Sequence, residues 1–302
     1  MGEIHARILS SIPGVRLTAL AAGDRCAGAV FARRWNVPFW SQNYEECLAR
    51  PDVDAVVIAS PSALHAAHAL IAIGAGKAVL IEIPIALSLA DSLTVADAAA
   101  QAGVVAMVCH TRRFAPPHRA LRERMGTGTF HLHHLIAETF FLRRTNLNMS
   151  GEPRTWTDNL LWHHACHSVD LVHWLLDAPD FQVVAQRGPD HRVLNIPMDM
   201  TIGLKDRNTG ALGTLALSFN AAGPAGHFYR YIGEEDTYQV HRNEMLSMAG
   251  ERVELTGDAF EIQDREFVAA VREGRTPEAD IASVIPAMTL LDAITRSLDA
   301  SR

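Results

Sequence analysis

The chain has 302 residues, 48% hydrophobic and 20% charged, with a formal net charge of −7. That length predicts two domains with sizeable cores, and the acidic balance argues against nucleic acid as a partner. No apolar run reaches the roughly 18 residues of a membrane span, and no signal peptide opens the chain. Cys26, Cys47, Cys109 and Cys166 lack disulfide or CxxC spacing, so a reduced, cytoplasmic protein without a membrane partner is expected.

In chain order, residues 2–12 carry Ile4, Ile8, Leu9 and Ile12 at helical spacing, and Pro13-Gly14 ends that helix. A strand is expected over 15–22, a helix over 24–35, a short strand near 37–39 and a helix over 44–49. Residues 53–60 (VDAVVIAS) read as a strand covered on both faces. Pro61 opens the next helix, which Gly74 and Gly76 end; then come strand 78–84, helix 89–102 and strand 104–109. This alternation predicts a doubly wound, Rossmann-like parallel α/β domain over residues 1–114.

Beyond it the period changes to that of strands, over 130–143, 182–186, 198–204, 211–219, 228–233 and 237–241. Two helices close the chain at 260–273 and 281–298. Residues 115–302 are therefore expected to form an α+β domain with a predominantly antiparallel open sheet, for substrate binding and oligomerisation. One face of that sheet exceeds what its few helices can cover, which predicts a homodimer; strand 211–219, with Leu212, Leu215, Leu217 and Phe219, is the candidate surface.

Nucleotide-binding α/β domains open with a strand, a glycine loop and a helix. Here a helix comes first, and no GxGxxG lies near the start. Gly2 stands where the last glycine of such a loop would fall. The expectation is that the first strand and most of the phosphate loop are missing, and that this chain binds a dinucleotide poorly.

Chemistry concentrates in residues 154–170, RTWTDNLLWHHACHSVD. If the stretch is helical from Asn159, His163 and His167 share one face, His164 sits about a hundred degrees away, and Asp170 follows one turn after His167. A neutral imidazole takes a proton near neutral pH, and a second one can orient it. The competing reading is a pair of buried, hydrogen-bonded helix histidines. No third and fourth ligand and no HExxH accompany the pair, so no metal is expected. His131, His133 and His134 read as sheet residues.

The order of an α/β domain, the segment Glu82-Ile83-Pro84, HTRRF (110–114) and the HxxxHxxD of residues 163–170 resembles the glucose–fructose oxidoreductase/inositol dehydrogenase family. FFLRRTNLN (140–148), GEPRTWTDNLLWHHACHSVDL (151–171), LSFNAAGPAGHFYRYI (217–232) and QDREFVAAVREGRTP (263–277) are most similar to a member that oxidises a dicarboxylic semialdehyde as its cyclic hemiacetal. The resemblance implies a nicotinamide cofactor, NADP in preference to NAD, and a small dicarboxylic substrate. The wider family has Glu-Lys-Pro where this chain has Glu82-Ile83-Pro84, and Asp-x-x-x-His where it has His163 and His167. Both changes count against a sugar or inositol substrate. A sugar or inositol dehydrogenase and a non-catalytic, ligand-sensing homologue remain the alternatives.

On that resemblance His167 is the general base, with His163 orienting it or sharing its proton. Arg112, Arg113, Arg143, Arg144 and Arg154 are candidates to hold carboxylates, since a guanidinium binds a carboxylate through two parallel hydrogen bonds. Only two lysines, Lys77 and Lys205, stand among 27 basic residues, so arginine is also favoured by composition. Trp162 is a candidate wall for the substrate ring or a core residue. Ser60, Pro61 and His65 match the family's adenine and pyrophosphate contacts, and Glu82 and Pro84 would lie near the nicotinamide. Gly2 would open the pyrophosphate helix. No acidic residue ends the strand at Ala22, so Gly23 and Arg25 would admit a 2′-phosphate, with Asp24 counting weakly against it.

Overall fold

The computed structural model describes residues 1–147, 151, 153–154, 157, 159–176 and 179–300. Thr155, Trp156 and Asp158 of the histidine stretch, and Asn148 of the arginine stretch, lie outside the described residues. The chain forms two compact units, Met1–Thr111 with Ala259–Ile285, and Arg112–Asp258 with Pro286–Arg302. A boundary between 114 and 115 thus moves to between 111 and 112. The larger difference is that residues 259–285 join the first unit.

In the first unit α1 (Gly2–Ser11) turns Ile8, Leu9 and Ile12 inward. Phe260 and Val268 of α8 (Ala259–Glu273) pack against that cluster with Val57. This contact draws α8 away from the sheet domain that precedes it in sequence. β1 (Ala19–Ala21) pairs in parallel with β2 (Phe39–Ser41). Between them runs α2 (Arg25–Arg34), whose N-cap Asp24 accepts from Ala27 N at 2.7 Å. Gly28 of α2 lets the helix lie close, because a Cβ there would stand 2.9 Å from the Ala22 side chain.

After α3 (Tyr44–Leu48), β3 (Ala55–Ile58), β4 (Ala78–Ile81) and β5 (Ala106–Val108) form a second parallel sheet in the order β3-β4-β5. β4 is buried along its length, as a central parallel strand must be. α4 (His65–Gly74), after a 3-10 turn at Ser62–Leu64, and α5 (Leu89–Ala102) are the crossovers. Ser88 caps α5 and Gly103, at φ 63°, ends it. Among the described residues β1 and β3 each have one paired edge, so the doubly wound sheet is in two pieces.

The second unit opens with a 3-10 turn, Thr111–Phe114, and α6 (Pro116–Gly126), a helix not anticipated from the sequence. Its sheet is seven-stranded. β6 (Leu132–Phe140), β7 (Phe181–Arg187), β8 (Asp199–Asp206), β9 (Leu212–Ser218), β10 (Gly226–Gly233), β11 (Thr237–His241) and β12 (Glu244–Leu246) lie in the order β12-β11-β10-β6-β9-β8-β7. Only β6 and β9 pair in parallel.

Register fixes its faces. Thr139 of β6 stands between His227 of β10 and Leu217 of β9, and Ala137 between Tyr229 and Leu215. Met200 and Ile202 of β8 continue these two rows. All but His227 are buried. Leu215, Leu217 and Phe219 therefore belong to the unit's own core, which corrects their assignment to an oligomer surface. Leu212 is on the opposite face and 41% exposed.

The covering helix begins as a π-helix, Leu160–Ala165, and continues as α7 (Cys166–Leu175). α9 (Ile281–Ala300) closes the chain; by length and composition it could cross a membrane, though it carries Asp292, Arg296 and Asp299 and so is no uninterrupted apolar run. Val284, Met288, Leu291 and Ile294 are wholly buried, as in a core helix.

Candidate active site

The first unit carries the residues expected at the cofactor, around the C-terminal ends of its parallel strands, where open α/β sheets place ligands. His65 is 2% exposed, and its ring nitrogens lie 2.7 Å from the carbonyl oxygens of Ser60 and Pro84. It ties the loop after β3 to the loop after β4. Both polar atoms of the ring thus face backbone. The Ser60 hydroxyl lies 3.0 Å from His68 Nδ1, and Pro61 caps the 3-10 turn that follows.

Glu82 is likewise turned inward. Its Oε1 accepts from His5 Nε2 at 2.9 Å, and its Oε2 accepts from Ile83 N at 3.2 Å. His5 Nδ1 meets Asp264 of α8 at 2.9 Å. Burial alone would lower the His5 pKa, but hydrogen bonds to Asp264 and Glu82 raise it to about 9. Burial, then the Glu82 and Asp264 charges, push the neighbouring Cys109 thiol well up. Glu82 is thus a partner of His5.

At the start of α2, Gly23 has nothing within 4 Å of where a Cβ would stand, and Arg25 is exposed. Asp24 is engaged as the helix cap. Gly2 opens α1, which has no side-chain cap.

In the second unit Asn159 caps the π-helix by accepting from Leu161 N and Trp162 N. The π-helix replaces the expected α-helical start, a geometry that recurs at functional sites. Trp162 is 7% exposed, a core position. His163 and His167 are half-buried across the π-to-α junction, and the His163 and His164 rings lie 5.9 Å apart. His164 packs edge-on against Phe219 at 4.9 Å and tilted against Phe141 at 5.5 Å.

The His167 ring is 6.0 Å from that of His227. Sequence reasoning quoted His227 within a block and gave it no role. A signal was present: in GHFYRYIG a period of two puts His227, Tyr229 and Tyr231 on one face. Burial, then the positive charge of Arg112, then His164 and His241, lower the His227 pKa to about 3. His118 of α6 is held well below its usual value by burial and by Arg112. Its Nδ1 lies 2.7 Å from the Tyr231 hydroxyl.

The five arginines separate. Arg113 is 4% exposed and donates from Nε and Nη2 to the two oxygens of Asp170, at 2.9 and 2.6 Å. The guanidinium edge formed by Nε and Nη2 thus holds a protein carboxylate. Arg144 is exposed and donates to the Phe219 carbonyl and to Asn220 Oδ1, bracing two loops. Arg143 lies over the Phe219 ring at 4.8 Å, the same ring His164 touches. Arg154 is half-buried, its backbone N bonded to Asn146 O at 2.9 Å. Arg112 is half-buried over Tyr229, Cζ 5.9 Å from the ring centroid.

Two groups of metal-capable side chains occur among the described residues: His5, Glu82 and Cys109, and the exposed His131, Glu234 and Glu235. Neither includes His163 or His167. His131 precedes β6 and pairs with Glu235.

Comparison with known proteins follows this division. Residues 1–110 match a family described as an oxidoreductase family with an NAD-binding Rossmann fold. Residues 116–259 match the C-terminal region of bacterial oxidoreductases. The chain is 39% identical to 4-carboxy-2-hydroxymuconate-6-semialdehyde dehydrogenase of Sphingobium sp., over 99% of this chain and 96% of that one. It is 26% identical to scyllo-inositol 2-dehydrogenase (NAD(+)) of Bacillus subtilis, over 92% and 85%. Levoglucosan dehydrogenase, solved with NADH and levoglucosan, has the same fold, with a TM-score of 0.85 at 19% identity over 100% and 95% of the two chains.

Proposed function

We propose, from the premise that this chain belongs to the glucose–fructose oxidoreductase/inositol dehydrogenase family, that it oxidises 4-carboxy-2-hydroxymuconate-6-semialdehyde, as its cyclic hemiacetal, to 2-pyrone-4,6-dicarboxylate. That step belongs to the 4,5-cleavage route of protocatechuate catabolism. Members of the family are NAD(P)-dependent dehydrogenases acting on CH–OH groups, and so is this chain. The observation that carries the substrate is the 39% identity running through nearly the whole of both chains.

The nicotinamide, when bound, supplies the hydride acceptor. His167 takes the hydroxyl proton of the hemiacetal as the carbon loses its hydride, so one proton and one hydride leave and a lactone carbonyl forms. His163 orients His167 or shares its proton. Arg112, Arg143 and Arg154 are proposed to hold carboxylates, and Trp162 backs the histidine helix. Gly2, Gly23, Arg25, Ser60 and Pro61 would hold the dinucleotide, with His65, Glu82 and Pro84 shaping the loops beneath it. Because Asp24 is engaged as a helix cap and Arg25 is exposed, a ribose 2′-phosphate is favoured, hence NADP over NAD.

The test is reduction of NADP and NAD by purified enzyme with the ring-cleavage semialdehyde, against myo-inositol and glucose. Turnover of the sugars alone would reassign the substrate. We also propose a homodimer through the face of the sheet that bears Leu212 and Val184, 41% and 61% exposed. A monomer by light scattering at micromolar concentration removes it.

A further inference from the structure

The buried face of β10 carries three hydrogen-bonding aromatic side chains in succession: His227, Tyr229 and Tyr231. They stand opposite Thr139, Ala137 and Leu135 of β6. A sheet face packed under helices is ordinarily apolar, and the neighbouring strands obey that with Leu215, Leu217, Met200 and Ile202. Polar groups in such a place are normally hydrogen-bonded. Tyr231 is, through His118. The other two are incompletely satisfied.

The Tyr229 hydroxyl is buried with no hydrogen-bond partner among the described residues. His227 Nδ1 lies 3.2 Å from Thr139 Oγ1, while its Nε2 bonds to no described residue. Arg112 lies over the Tyr229 ring, its Nε buried without an acceptor, and no described carboxylate pairs with it. Its charge acts on His118 and His227, both of which it disfavours as cations. The protein thus assembles a guanidinium, a phenol and a neutral imidazole, and no described residue supplies an anion to them.

We propose that His227 and Arg112 hold one carboxylate of the substrate beside His167, with the Tyr229 hydroxyl lining the same place. This rests on the dicarboxylic substrate proposed above and identifies what in the fold recognises it. The chemistry is specific. In this arrangement the Thr139 hydroxyl would donate to Nδ1, which would leave the proton on Nε2 as a donor. Arg112 adds charge and a directional pair of N–H groups. A histidine that stays neutral beside an arginine keeps its open nitrogen a donor without repelling that cation. His227 is then a substrate-binding residue and His167 the base, 6.0 Å apart ring to ring, two imidazoles with different tasks.

The test is a calorimetric titration of NADP-loaded enzyme with 2-pyrone-4,6-dicarboxylate and with its neutral dimethyl ester. Wild type, Arg112→Gln and His227→Gln are compared, and semialdehyde turnover of the wild type is measured alongside. Each variant is expected to lose roughly 10- to 100-fold of the preference for the dicarboxylate, the worth of a hydrogen bond to a charged group. Variants that keep the wild-type preference, with wild-type turnover intact, overturn this proposal and leave the reaction standing. Wild-type enzyme that neither oxidises the semialdehyde nor binds the dicarboxylate overturns both. Should either variant fail to fold, the imidazole nitrogen resonances of His227 in wild-type enzyme decide: dicarboxylate must shift them and the ester must not. Unmoved resonances overturn the proposal.

Discussion

His5 Nε2 donates to Glu82 Oε1 at 2.9 Å, joining the first helix to the segment after β4, and the same ring reaches Asp264 of α8 through its other nitrogen. Three elements far apart in sequence meet on one imidazole. Both nitrogens face carboxylates, so both must donate, and the ring is an imidazolium. Two buried carboxylates around one buried cation are tolerated because each charge has its hydrogen bond.

The first prediction follows from that charge. The His5 pKa in the folded protein, about 9, lies above the unfolded value of 6.5. Its contribution is fully present below pH 6.5 and is lost as pH rises towards 9. The loss over that window is on the order of 3 kcal/mol for a group so buried. Urea unfolding at pH 6.5 and 9 measures it. His5→Gln should be less stable at pH 6.5 and should flatten the alkaline decline. An unaltered decline in the variant would place its cause elsewhere.

A second prediction separates structure from substrate. Arg113 and Asp170 are 4% and 0% exposed, so removing Arg113 breaks a buried ion pair. Arg113→Ala should cost roughly 3–5 kcal/mol of stability. At temperatures where the variant stays folded, its KM for the semialdehyde should be near the wild-type value. A large KM change with little loss of stability would return Arg113 to the substrate site.

Much of the fold was legible because its signals are local. α5 has the bounds expected of it, since Ser88 and Gly103 mark its ends in the sequence itself. β11 is also where its pattern put it. Strand 15–22 shrinks to Ala19–Ala21, because pairing with β2 spans only three residues and hydrophobicity says nothing of the partner's length. The π-helix has no compositional signature, so the histidine stretch read as α-helix. The partners of Arg113 and His5 were not legible for one reason: Asp170 and Asp264 stand 57 and 259 residues away. His163, His167 and the arginines were legible as residue types, whereas which arginine was already engaged was not.

The third prediction concerns the base. His167→Ala should lower turnover by roughly 10²- to 10⁴-fold, as for loss of a general base, with little change in thermal stability. The wild-type pH–rate profile between pH 6 and 9 should lose its base limb in the variant. Near-normal turnover would move the role to another group, with His163 the next candidate.

The last prediction takes the acid side. His227, at a pKa of about 3 in the folded protein, lies below the unfolded 6.5. The unfolded chain therefore takes up a proton at this residue first as pH falls. Its contribution is present above pH 6.5 and declines between pH 6.5 and 3, by up to about 1.4 kcal/mol per pH unit. Titrating carboxylates act in the lower part of that range, so the decisive interval is pH 6.5 to 5. His227→Phe keeps an aromatic ring and removes the proton site, so its stability should fall less steeply than wild type over that interval. Within that interval the two curves should be furthest apart in slope at its acid end, near pH 5. Arg112→Gln offers an independent check, because it removes one cause of the shift while leaving the ring in place. Its acid decline should be intermediate, since burial, the larger cause, persists. Parallel curves for all three proteins would mean that His227 is not held neutral by its surroundings. The imidazole would then be free to carry charge beside His167, and the division of roles between the two rings would fail.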